Sequence, residues 1–417
     1  MIFENNIAFA KHMDEKDPLA HFRDKFYIPK LNGKETIYLC GNSLGLQPKT
    51  VKDYLNQELE DWANLGVEGH LQAKNPWYSY HENFANPLSR LVGAKPSEVV
   101  AMNGLTVNLH LMLISFYRPQ GKRYKILCEH KAFPSDQYAF ESQVKLHGYN
   151  PEDAIIEAGP IEGDSLIGNE QFLKKIEEHK DELALVVLGG VNYYTGQFYN
   201  LEEIAKASHN TGAYVGYDLA HAVGNVELKL HDWGVDFGVW CSYKYLNSGA
   251  GGVAGAFVHE KHIGNKEIPR LAGWWGHDKE SRFLMEPGFN PIPTAESWQL
   301  SNAPVFSMAP HMASLKIFDE VGMDALCRKR DMLTGYLEFL IEEVNENMNI
   351  ITPKDKTQRG CQLSILTGKN GKEIHDNLTK EGVISDWRNP NVIRVAPVPL
   401  YNTFEDVYRF AQMLKEI

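Results

Sequence analysis

The chain is poor in cysteine and shows no pattern in the few it has. Five cysteines (Cys40, Cys128, Cys241, Cys327 and Cys361) are scattered over 417 residues with no C-x-x-C pair. That argues against a disulfide framework and fits a reducing compartment. No apolar stretch is long enough to span a bilayer. The opening residues Met1-Ile2-Phe3-Glu4-Asn5-Asn6 lack the basic region and apolar core of a secretory leader. These absences predict a cytoplasmic protein without a membrane partner. Positive charge is also scarce, with 42 basic against 54 acidic side chains and a net charge of -12. Nucleic acid is therefore not expected as a main partner, although a small anion in a local basic pocket is compatible with this balance. The 16 histidines lack ligand spacing. His259-Glu260-Lys261-His262 and His277-Asp278 resemble fragments of metal motifs, but no H-E-x-x-H occurs, so no metal is predicted. Internal repeats and low-complexity tracts are absent as well.

What is present is an ordinary globular composition, 43% hydrophobic and 23% charged, in a chain long enough for two domains. Its middle alternates short apolar runs with amphipathic stretches, the pattern of a mainly parallel sheet covered by helices. The predicted strands are Val99 to Met102, Lys125 to Cys128, Leu183 to Leu188, Tyr214 to Tyr217, Phe237 to Cys241 and Gly255 to Val258. Helical stretches such as Asn169 to Lys180 and Leu201 to Ser208 fall between them. From about Ser307 the pattern changes to two long helices (Met308 to Val321, Met323 to Asn347). Short runs at Cys361 to Leu366, Val383 to Asp386 and Val392 to Val395 follow, then a closing helix from Thr403 to Lys415. The fold class is thus α/β. A large domain spans residues 61–306, a small α+β domain spans 307–417, and an arm over 1–60 joins the small domain.

Two of the apolar runs stop abruptly at a charge. Tyr214-Val215-Gly216-Tyr217 ends at Asp218, and Trp240-Cys241-Ser242-Tyr243 leads to Lys244. In open α/β sheets ligands sit beyond the carboxyl ends of the strands. Either residue alone would be an ordinary strand-end charge. The pair suits pyridoxal phosphate (PLP), because an amine can bond to the aldehyde while an ionised acid keeps the pyridine nitrogen protonated.

A dianionic phosphate must also be held. Asn103-Gly104-Leu105-Thr106-Val107-Asn108 follows a strand and opens an apolar helical run, so free N–H groups and the Thr106 hydroxyl are available there. Phe133-Pro134-Ser135-Asp136 follows another strand, offering an aromatic ring and a good helix start. Tyr243 supplies a phenol beside the lysine, and His221 is placed to flank Asp218 or the ring.

In this order these residues resemble the fold-type I PLP enzymes of the aspartate aminotransferase superfamily. Four longer segments are similar to the kynureninase family: Tyr38 to Leu46, Asp218 to Asn225, Trp240 to Gly252 and Arg394 to Asn402. The resemblance implies a seven-stranded sheet and a homodimer with shared active sites. It also implies hydrolysis of L-kynurenine, or 3-hydroxy-L-kynurenine, to the anthranilate and L-alanine, in tryptophan breakdown and NAD biosynthesis. By the same resemblance Lys244 carries PLP, Asp218 pairs with the ring nitrogen, and His221 lies beside it. Leu105, Thr106 and Tyr243 hold the phosphate, together with Trp274 of the neighbouring subunit. Phe133, Pro134, Ser135 and Asp136 form the ring-contacting loop, and Asn302 crosses the subunit boundary. Arg394 clamps the substrate α-carboxylate, and Ser43, His70 and Asn302 line the substrate pocket. Gly189 departs from relatives that place a serine there, which removes a hydroxyl from the cofactor's surroundings.

Two other readings compete. A cysteine desulfurase needs a mobile nucleophilic cysteine near the C-terminal part, whereas Cys361 lies in an apolar, strand-like run. A non-catalytic PLP-binding regulator would carry a basic DNA-binding segment, and none is visible.

Overall fold

The apolar runs between residues 99 and 258 assemble into one sheet. A computed structural model describes residues 2–344 and 348–416. Seven strands form this sheet: β1 (Val99–Ala101), β2 (Lys125–Glu129), β3 (Ile155–Ala158), β4 (Leu183–Gly189), β5 (Tyr214–Asp218), β6 (Phe237–Trp240) and β7 (Gly255–Val258). Their spatial order is β1-β7-β6-β5-β4-β2-β3. Only β7 runs antiparallel to its neighbours; the other pairs are parallel. Parallel strands are covered by helices on both faces, which is why they read as continuous apolar runs. Leu127, Val186, Val215 and Tyr217 face one core, while Ile126, Leu185, Val187 and Val239 face the other.

Of the seven, β3 was not expected from the sequence. It is four residues long at the sheet edge, Ile155 and Ile156 are half-buried, and Glu157 is exposed. An edge strand with so little to bury leaves little periodic signal.

The small sheet is antiparallel, with β8 (Asn349–Ile350), β9 (Leu363–Leu366), β10 (Asp386–Arg388) and β11 (Val392–Val395) in the order β8-β9-β11-β10. The expected run Cys361 to Leu366 pairs only from Leu363, because the Cys361 N–H is taken by Asn225 Oδ1 at 2.7 Å. The expected run Val383 to Asp386 divides: Val383–Ile384 pairs with Ile37–Tyr38, and the rest joins β11. Helices Met323–Val344 and Phe404–Glu416 cover this sheet, and Ala10 and Met13 of the helix Ile7–Glu15 enter the same core. The last three residues of the expected helix Met323 to Asn347 lie outside the described residues. Among the described residues no helix is long and apolar enough to cross a membrane.

One buried carboxylate ties β5 to a helix that covers the sheet (Leu201–Thr211) and to the turn after β7 (Glu260–His262). Asp236 accepts hydrogen bonds from His209 Nε2 (2.9 Å), His262 Nε2 (2.7 Å) and the Val215 N–H (2.7 Å), and Lys261 Nζ lies at 2.7 Å. Burial alone would raise its pKa, but the bonds from His209 and His262 and the charge of Lys261 hold it well below the usual range. A carboxylate depressed in the folded state contributes stability above its unfolded pKa, and this is lost as pH falls through the folded value. Asp236→Asn is therefore expected to cost roughly 3 kcal/mol in denaturant unfolding at pH 7. The gap between variant and parent should narrow below about pH 4, near the unfolded carboxylate pKa. Equal stability at pH 7 would contradict the clamp.

Candidate active site

The sheet brings Asp218 and Lys244 to the ends of adjacent strands. Asp218 closes β5, and Lys244 lies in the turn that follows β6. That turn is set locally. Asn247 takes the left-handed conformation (φ 51°), its N–H returns to the Lys244 carbonyl at 3.0 Å, and its side chain donates to the Tyr245 carbonyl at 2.9 Å. From outside, the Gly45 N–H donates to the Tyr243 carbonyl at 2.8 Å, and a Cβ on Gly45 would stand 2.3 Å from the Lys244 carbonyl oxygen. Only glycine lets the N-terminal segment press this closely on the lysine turn.

Lys244 Nζ is 3.0 Å from His221 Nε2. His221 thus partners the lysine rather than the Asp218 carboxylate. Burial, and then the Lys244 charge, push its pKa well down, so the ring is neutral. When Nε2 accepts from the ammonium, the ring proton sits on Nδ1, which is buried and has no hydrogen-bond partner.

Three buried carboxyls gather here: Asp218, Asp136 and Glu129. Burial raises all three pKa values. Lys244 opposes this at Asp218, as does the Ala220 N–H donating at 2.8 Å. Asp136 is raised well above its ordinary value by burial and then by Asp218, so it is the member of this pair that keeps a proton. At Asp218 the Lys244 charge and the Ala220 N–H favour the ionised form.

These groups line a cavity with an empty volume of about 540 Å³. At one end lies the start of the helix Leu105–Phe116, whose Gly104 cap makes no side-chain hydrogen bond, so its first N–H groups are open to an anion. Leu105 and Thr106 line that end, with Ser135 and Tyr243. Pro134 fixes the first turn of the helix Pro134–Leu146, which carries Ser135 and Asp136. Phe133 lines the wall, is 42% exposed and packs edge-on to Tyr193 with centroids 5.2 Å apart. An ionised acid, an amine, an open helix start, an aromatic face and an unpartnered imidazole N–H fit a phosphorylated pyridine aldehyde.

Arg394 is buried, and its guanidinium is already engaged. Its Nη1 donates to the Tyr193 carbonyl at 2.5 Å, its Nη2 donates to Asp386, and its buried Nε lacks a partner. Ser43 Oγ donates to Asp386 at 2.5 Å, and Arg388 Nη2 donates to the same carboxylate at 3.0 Å. Burial alone would raise the Asp386 pKa, but Arg394, Ser43 and Arg388 hold it below its usual range. Sequence reading missed Asp386, yet it stands directly opposite Arg394 in the β10–β11 register. Glu129 was missed too, although it ends a strand just as Asp218 does.

The remaining expected residues lie outside this cavity in the single chain. His70 Nδ1 is held by the Val67 carbonyl at 3.0 Å, and its ring meets Trp77 edge-on. Trp274 is 49% exposed and donates to the Arg282 carbonyl at 3.3 Å; Asn302 is exposed. Gly189 does line the cavity, with its N–H directed at Glu129.

Solved structures with this architecture include a cysteine desulfurase from Thermococcus onnurineus, with TM-score 0.74 and 17% identity, covering 91% of this chain and 94% of that one. An Escherichia coli cysteine desulfurase has TM-score 0.76 and 15% identity over 100% of this chain and 98% of that one. The fold is fold type I of the PLP-dependent enzymes. The sequence relatives are more specific. A kynureninase from Christiangramia forsetii is 57% identical over 100% of this chain and 99% of its own. The Homo sapiens kynureninase is 49% identical over 98% and 92%. Residues 326–414 match the kynureninase C-terminal domain model. The chain belongs to the kynureninase family.

Because Lys244 and the Ala220 N–H favour the charge on Asp218 while Asp218 itself disfavours one on Asp136, amide substitutions at the two are expected to differ. Asp136→Asn, which resembles the protonated acid, should leave kcat/KM within about tenfold, whereas Asp218→Asn should cost about a thousandfold or more. Equal losses would contradict this division.

Proposed function

We propose that the protein hydrolyses the Cβ–Cγ bond of L-kynurenine to give anthranilate and L-alanine, and acts likewise on 3-hydroxy-L-kynurenine, with PLP held by Lys244. The observation that carries this reading is full-length similarity to kynureninases at 57% identity, joined to the Lys244–Asp218 pocket. When bound, PLP draws electron density away from the substrate carbons next to the amine nitrogen. The protein's own residues do the rest. Ionised Asp218 keeps the pyridine nitrogen protonated, and neutral His221 orients Lys244 Nζ. The freed Lys244 amine takes the proton from substrate Cα. Burial pushes the Tyr243 phenol pKa up, so it stays protonated and can donate as water adds to the side-chain ketone. Arg394, whose Nε lacks a partner while Asp386 and Tyr193 hold the rest of the guanidinium, receives the α-carboxylate. Ser43, His70 and Asn302 act on the substrate, and Leu105, Thr106, Phe133, Pro134 and Ser135 hold the cofactor.

The active unit in this reading is a cytoplasmic homodimer serving tryptophan breakdown and NAD biosynthesis. Trp274 and Asn302 support it, since both are exposed and lie outside the cavity of their own chain, and two-fold dimers are the default. The division into an arm (1–60), a large domain (61–306) and a small domain (307–417) belongs to the same proposal. Cys361 argues against the desulfurase alternative: it is buried, and burial raises its thiol pKa to about 12.

Purified protein with PLP is expected to convert L-kynurenine to equal amounts of anthranilate and alanine, followed by anthranilate fluorescence. Lys244→Ala should lose several orders of magnitude. Release of sulfide from cysteine, with no anthranilate, would overturn the reading. Mixing Lys244→Ala with Trp274→Ala under subunit exchange should restore one working site per hybrid dimer. No recovery despite proven exchange would count against shared sites.

A further inference from the structure

Glu129 closes β2 at the wall of the pocket and takes no part in the chemistry above. It is 3% exposed and lines the same cavity as Asp218 and Lys244. Both of its carboxyl oxygens share one donor, the Gly189 N–H, at 3.1 and 3.2 Å. A carboxyl offers up to about four acceptor positions, so one shared N–H leaves most of its capacity unused. The fit to Gly189 is close: a Cβ built there would stand 2.9 Å from Glu129 Oε1. The carboxyl therefore fills the space in which a side chain at position 189 would begin.

Lys244 of the same cavity bonds to His221 rather than to Glu129, and the other ionisable groups near enough to feel its charge are Asp218 from β5, Asp136 from the helix Pro134–Leu146, Glu157 from β3, Tyr193 and Tyr199 from the segment after β4, and Cys128 on its own strand. Among the described residues no cation forms an ion pair with Glu129. Burial, and to a smaller extent Asp218, raise the Glu129 pKa to about 7 against the opposing pull of its backbone hydrogen bonds. A carboxyl in that state can donate as well as accept.

We propose that Glu129 is a cofactor-contacting residue, supplying at the pocket wall beside Asp218 the polar group that Gly189 lacks. The proposal rests on the PLP reading of the same pocket. It explains why a carboxyl is buried here without a cationic partner: a ligand completes its hydrogen bonding. It also makes the bound cofactor sensitive to pH near neutrality through a group other than the lysine.

The test is reconstitution of apoprotein with PLP, read by fluorescence quenching for affinity and by the visible absorption band for pH response. Wild type, Glu129→Gln and Glu129→Ala are compared, each checked for folding by thermal melting. The alanine variant is expected to bind PLP about tenfold more weakly, the scale of one lost buried hydrogen bond. The glutamine variant, which keeps a donor but cannot ionise, should bind within about threefold of wild type and lose the step in its visible band near neutral pH. Wild-type affinity in the alanine variant would overturn the proposal, as would an unchanged pH step in the glutamine variant. Should the alanine variant fail to fold, Gly189→Ala, which presses the carboxyl aside, must weaken binding and shift that step, or the proposal falls. If wild-type protein does not take up PLP at all, the functional reading fails first, an outcome distinct from the others.

Discussion

Three carboxyls buried around one lysine define this protein's chemistry. Three buried negative charges against one positive charge would be costly, so protonation must offset part of the difference. The sheet decides where the protons go. Asp218 has Lys244 and the Ala220 N–H to hold its charge, whereas Asp136 faces Asp218 and keeps its proton. Glu129, with one shared backbone donor, sits between these extremes. In the proposed reading, Asp218 is the carboxylate that faces the pyridine nitrogen.

That arrangement depends on backbone more than on side chains. Asp218 and Lys244 meet because β5 and β6 are adjacent and parallel, so both chains emerge at the same sheet edge. The left-handed turn at Asn247 and the pressure of Gly45 then fix the lysine. His221 completes the set, since its neutral ring holds the amine without adding a second charge. Arg394, on β11 of the small sheet, is held in place by Asp386 and the Tyr193 carbonyl.

Much of this was legible in the sequence. Strand ends can be read from where an apolar run stops, and that rule found six of the seven strands, with Asp218 closing β5 and Lys244 in the turn after β6. It failed at Ile155–Ala158, where an edge strand buries too little to leave a pattern. Partnerships across strands were also out of reach. Asp386 matters because antiparallel register sets it against Arg394, and register is settled by packing far away in sequence. Glu129 could have been flagged by the strand-end rule, but its significance depends on Gly189 lying across from it. The fold alone would also have misled: its structural neighbours at 15–17% identity include cysteine desulfurases. Fold and function part at individual residues, and here the buried Cys361 marks the difference.

The central claim is that Asp218 is ionised and holds the ring nitrogen of bound PLP in its protonated form. Solid-state NMR of the protein loaded with PLP labelled with 15N at the pyridine position reads that proton directly. The account requires a pyridinium signal in the parent protein that moves to the neutral pyridine position in Asp218→Asn. A neutral pyridine signal in the parent protein would contradict it.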